Sequence, residues 1–85
     1  MIIHVTSVKP KKPYYLELTF DNGSSGQIDI FDLIKKGGVF ARLRDYHEFS
    51  TVSIDPIGRT VCWGKDLDLA PDVLWERLQD QKSWN

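Results

Sequence analysis

The chain alternates between apolar and polar positions in two distinct rhythms. Residues 14–21, "YYLELTFD", place Tyr14, Leu16, Leu18 and Phe20 on one side and Tyr15, Glu17, Thr19 and Asp21 on the other. That period of two predicts a strand with one buried and one wet face. "DNGSSG" then supplies residues suited to a reversal, and "GQIDI" resumes the alternation at Ile28 and Ile30, which predicts a β-hairpin. Upstream, the β-branched run Ile2–Val8 predicts a first strand, with "KPKKP" as a connection because its two prolines cannot donate to a ladder. From Phe31 the period lengthens. Phe31, Leu33 and Ile34 predict a short helix ended by an αL cap at Gly37-Gly38, and Val39, Phe40 and Leu43 at helical spacing in "VFARLRDYHEF" predict a second. "TVSID" and "TVCW" flank the turn "PIGR" and predict a second hairpin. A helix over Pro71–Gln81 closes the chain, with Leu74 and Leu78 as its i, i+4 stripe. Strands, short helices, strands and a last helix predict an α+β fold over residues 1–85 as one domain, with a largely antiparallel sheet.

Composition narrows the classes. At 85 residues and 41% hydrophobic, the chain supports one small core and is too apolar for disorder. The start "MIIHVTSVKPKK" carries its charges after its apolar residues, the reverse of a signal peptide, and no apolar run is long enough to span a membrane. Cys62 is the only cysteine, so no internal disulfide forms, and a cytoplasmic setting is expected.

A net charge of −1 argues against strong attraction to phosphate backbones. Lys9, Lys11 and Lys12 beside Tyr15 are nevertheless the best nucleic-acid signal, and their alternative reading is a charged connection protecting a sheet edge. The candidate partner surfaces are a strand edge, the basic segment Lys9–Lys12 and the tryptophan-bearing C-terminal end with Trp75 and Trp84.

The stretch "TVCWGKDLDLAPDVLWERL" gathers three aspartates. A calcium loop starting at Asp66 fails at its fifth, sixth and twelfth positions, which hold Ala70, Pro71 and Arg77. Asp66, Asp68 and Asp72 as catalytic carboxylates lack any further cleft signature. The structural reading explains more: Pro71 suits a first helical turn, Asp72 the positive end of the helix dipole, and Asp68 the free N–H groups at the helix entrance. No catalytic, metal or cofactor set is expected. His47-Glu48 lacks the second histidine of a zinc-protease helix, His4 and His47 are too few for a metal site without carboxylate help, and Cys62 reads as a packed, unreactive thiol.

Trp63, four residues and then "DLAPDVLWE" resemble the C-terminal signature of the bacterial domain of unknown function 2442 family, W-P-N-G-A-D-L-A-P-D-x-L-Y. "VKP", "LELTFDNGSSGQIDI" and "VFARLRDYHEFSTVSID" agree with it, so the resemblance covers nearly the whole chain, with Trp63, Asp68, Pro71 and Asp72 as its structural signature. Gly64, Lys65, Asp66 and Leu67 replace the usual P-N-G-A, and Trp75 stands where tyrosine is common. The resemblance implies a small α+β domain without established activity, often encoded beside another small protein in an arrangement like a toxin–antitoxin pair. The leading expectation is therefore a non-enzymatic protein-interaction module, antitoxin-like or regulatory, acting on a small protein encoded next to it. A homo-oligomer is left open. A weak nucleic-acid-binding regulator using Lys9–Lys12 is the alternative, and an enzyme using Asp66, Asp68 or Asp72 stands third.

Overall fold

The computed structural model describes residues 3–64 and 66–82; Trp84 lies outside them. The element order is β1 (Val5–Lys11), β2 (Tyr15–Phe20), β3 (Ser25–Asp29), α1 (Phe31–Lys36), a 3-10 helix (Gly38–Arg44), α2 (Tyr46–Phe49), β4 (Ser53–Ile54), β5 (Val61–Trp63), β6 (Leu67–Leu69) and α3 (Pro71–Lys82). The α+β class holds, but the strands form two three-stranded antiparallel sheets, β1-β2-β3 and β4-β5-β6, rather than one.

The first sheet follows the alternation of its sequence. Leu16, Leu18, Phe20 and Ile28 are buried, while Thr19, Gln27 and Asp29 lie on the wetter face. β1 departs from expectation. It runs through Pro10 to Lys11, so "KPKKP" is strand and tight turn rather than a connection. The register explains why proline is accepted. Phe20 N–H bonds to Ser24 O at 2.8 Å and Ile30 N–H to Tyr14 O at 3.1 Å. Bonded positions alternate along an antiparallel pair, so Leu16, between these bonds, gives its backbone groups to Ile28 and not to β1. Pro10 lies opposite Leu16. Its missing N–H therefore falls on the free side of an edge strand and costs the ladder nothing.

The second sheet is built on Val61 and Trp63, both buried, with Cys62 half-buried on the opposite face. β6 was not legible as a strand; Leu67–Leu69 pairs with β5 and buries both leucines. The predicted second helix is broken in two at Asp45, whose extended backbone ends the 3-10 helix and whose carboxylate accepts from His47 N–H at 2.9 Å to cap α2. After α1, Gly37 has φ 86° with ψ −143°, outside the expected αL conformation.

Both sheets and α3 close on one core. Trp63, Phe20, Phe49, Leu16, Leu18, Leu43, Leu74 and Leu78 are among its large, fully buried members, with Ile28, Ile30 and Ile34. Phe49 joins the halves: its ring meets Tyr14 edge-on at 5.5 Å and Trp63 at 6.2 Å, and its carbonyl accepts from Trp63 Nε1 at 2.9 Å. Gly26 allows α3 to approach β3, since a Cβ there would come within 2.6 Å of Leu78 Cδ1.

Candidate functional site

The three aspartates of residues 60–78 do not converge on a ligand. Asp66 accepts a hydrogen bond from Arg42 Nη1 at 3.0 Å, while Arg42 Nη2 donates to Trp63 O at 2.7 Å. Arg42 thus pins the β5–β6 turn to the 3-10 helix, and its guanidinium holds the Asp66 carboxyl below the ordinary range. Asp72 stands exposed in the first turn of α3. Asp68 corrects the sequence reading: it lies on β6, exposed, opposite Cys62, and among the described residues its carboxylate bonds to no helix-entrance N–H. Asp68→Ala is therefore expected to change stability by less than about 0.5 kcal/mol in urea unfolding, the usual range for a surface change. No group of three or more His, Cys, Asp or Glu that could hold a metal occurs among the described residues.

Asp68 and Cys62 do line a cavity of about 320 Å³ on the outer face of the second sheet, together with Ser53, Asp55 and Thr60. Ser53 Oγ lies 3.5 Å from Cys62 Sγ. No histidine lines this cavity; the titratable groups beside the thiol are the carboxylates of Asp55 and Asp68.

The basic segment is dispersed by the fold. Lys9 and Lys11 project from the outer face of β1, in register with Glu17 and Tyr15. Lys12 turns the other way, its Nζ 5.3 Å from the centre of the Tyr46 ring. Tyr15 is half-buried. Trp75 packs edge-on against Phe20 at 5.2 Å, so much of its ring is committed to the core.

A different surface collects exposed groups that no linear motif shows. Phe31, at the start of α1, is 45% exposed, although the helical pattern placed it on the apolar face. Its ring stacks on Tyr14 at 5.5 Å with an interplanar angle of 16°, which leaves the other ring face open. Around it, Asp29, Asp32, Lys35, Arg77 and Gln81 complete an open recess of about 690 Å³. Arg77 makes a two-pronged pair with Asp32 at 2.9 and 2.8 Å, and that hydrogen bonding is the main cause lowering the Asp32 pKa. A lowered folded-state pKa stabilises above the unfolded value and loses that contribution as pH falls through the folded value. Asp32→Asn should therefore lose about 0.5–1 kcal/mol at neutral pH. Its stability should converge on that of the wild type in acid, below the ordinary value of 3.8. A deficit independent of pH would assign the effect to packing.

Among solved structures, the chain is similar to the crystal structure of "Putative DNA Binding Protein NE0471 from Nitrosomonas europaea ATCC 19718", with TM-score 0.88 and 24% identity. The match covers 98% of this chain and 53% of that one, so this chain spans about half the length of its structural neighbour. At that identity the likeness establishes the fold alone. No curated protein matches the chain significantly. The family model described as "Protein of unknown function (DUF2442)" matches residues 5–80, which carry the hairpin, the Trp63 strand and the Asp68-to-Asp72 signature: the chain belongs to the DUF2442 family.

Proposed function

We propose that this domain is a non-enzymatic protein-interaction module, the antitoxin-like or regulatory member of a two-protein pair. The observation that carries the reading is the Phe31 recess. An exposed aromatic ring, backed by Tyr14 and rimmed by both carboxylates and cations, has the anatomy of a protein docking site. Asp29 and Asp32 beside the ring disfavour a phosphate backbone, and Lys9 faces Glu17 across the ladder. These features weaken the rival reading of nucleic-acid binding through Lys9–Lys12, even though the structural neighbour is named "Putative DNA Binding Protein".

The test is calorimetric titration with the product of the adjacent gene. Phe31→Ala should weaken binding about thirtyfold, the loss of ~2 kcal/mol expected of a hot-spot aromatic. Lys35→Glu should weaken it as well, with an unchanged melting temperature. Affinity for single-stranded or duplex DNA should stay weaker than about 1 µM near physiological salt. Tight DNA binding abolished by Lys11→Glu with Lys12→Glu, with no effect of Phe31→Ala on the protein partner, would reverse the assignment.

A further inference from the structure

We propose that the free edge of β3 is a strand-addition site, where an extended segment of a protein partner pairs with the backbone of Ser25 and Gln27. The inference rests on the interaction reading above and specifies its geometry. The bonds Phe20 N–H to Ser24 O and Ile30 N–H to Tyr14 O fix which β3 residues face β2. By alternation Gly26 and Ile28 do, while Ser25, Gln27 and Asp29 turn their N–H and C=O groups outward. The outward groups of Asp29 are taken. Its N–H donates to Gln81 Oε1 at 3.2 Å, and its carbonyl accepts from Gln81 Nε2 at 3.4 Å and Arg77 Nη1 at 3.5 Å. The Gln81 amide thus occupies the place of a neighbouring strand's peptide group. Ser25 and Gln27 are exposed, and among the described residues their outward backbone groups have no such substitute.

The opposite edge is guarded. β1 carries Pro10 on its free side, the exposed Lys9 and Lys11, and a register irregularity between Val5 and Ser7. These are devices that blunt an edge against pairing. β3 has no proline, no lysine and no bulge.

The helix behind β3 decides the occupant. Leu78 of α3 sits directly against Gly26. A second copy paired antiparallel through β3 would bring two such helices onto one face. Paired strands lie about 4.8 Å apart, whereas packed helices need about 8–10 Å. An extended segment with no helix behind it meets no such obstacle. Where the segment passes Gln27 towards Asp29 it reaches the recess of Phe31 and Lys35. Lys35 has no carboxylate partner among the described residues. The fitting segment is therefore extended, free of proline, and ends in an apolar residue and a carboxylate.

Gln27→Pro is a selective probe, because it deletes an outward N–H and leaves the bonds of Gly26 and Ile28 to β2 in place. The ligand is a fluorescein-labelled peptide of alternating valine and threonine with glutamate at each end, followed by anisotropy. The wild type should bind it, Gln27→Pro should bind about tenfold or more weakly at an unchanged melting temperature, and Gln81→Ala should bind more tightly by uncovering Asp29. The same peptide N-methylated at alternate amides, which leaves the protein untouched, should not bind. No binding by the wild type, or equal binding of the methylated peptide, overturns the proposal. A dimer of the chain alone that Gln27→Pro abolishes overturns the choice of occupant. Capture of the adjacent gene's product that is lost in Phe31→Ala but intact in Gln27→Pro leaves the interaction reading standing and removes strand addition alone.

Discussion

Trp63→Ala is expected to cost about 3–5 kcal/mol, most of the roughly 5 kcal/mol at the low end of native stabilities. The side chain is 1% exposed and is the largest fully buried one among the described residues, so truncation empties the space between the second sheet and Phe49. A second loss adds to the cavity. Trp63 Nε1 donates to the Phe49 carbonyl at 2.9 Å, and without it that oxygen keeps only the longer bond from Val52 N–H at 3.3 Å. Trp63→Phe separates the two effects: it keeps an aromatic ring and removes the donor, so it should cost about 1–3 kcal/mol. Urea unfolding of both variants is the measurement. A Trp63→Phe variant as unstable as Trp63→Ala would show that the hydrogen bond, not the volume, dominates.

Leu18→Ala should follow at roughly 2–5 kcal/mol, towards the upper end of that range. The cost of such a cavity depends on whether the neighbourhood can collapse into it. Leu18 is fully buried at the centre of β2, and its partner on β3 is Gly26, which has no side chain to move inward. On the other flank stands Val8, fixed at Cβ by its branching. Leu74→Ala, on the helix opposite, is expected to be comparably severe, because Leu74 is also fully buried. A change below a few tenths of a kcal/mol at Leu18 would mean that the two faces of β2 are inverted.

What the sequence made readable follows from where each interaction is local. β2 and β3 were legible because one face is buried and the other is wet, so burial writes itself as alternation at Leu16, Leu18 and Phe20. α3 was legible because Pro71 marks its first turn and Leu74 and Leu78 repeat at helical spacing. β6 was not, since three residues, Leu67–Leu69, carry too little pattern and become a strand only by pairing with β5. Pro10 misled for a related reason: a proline ends a strand or rides along its edge according to which way the absent N–H points, and that depends on a partner strand. Asp68 looked like a helix anchor by proximity in sequence, but β6 directs it outward, opposite Cys62. The candidate site was the least visible of all. Arg77 and Gln81 reach Asp29 across a separation of about fifty residues, and Phe31 is lifted out of its apolar helical face by stacking on Tyr14. Neither event leaves a local trace in the chain.

The contact between Gly26 and Leu78 also constrains how the chain can diverge. With leucine at 78, even a methyl group at 26 would overlap Leu78 Cδ1, the tip of a side chain that is itself 1% exposed. The two positions therefore form one volume shared between a strand and a helix fifty-two residues apart. Relatives that carry alanine or serine at 26 should carry a smaller or differently branched residue at 78, and chains that change either one alone should be rare. Drift at this place is a paired event, and a sequence comparison of enough relatives should reveal it as covariation.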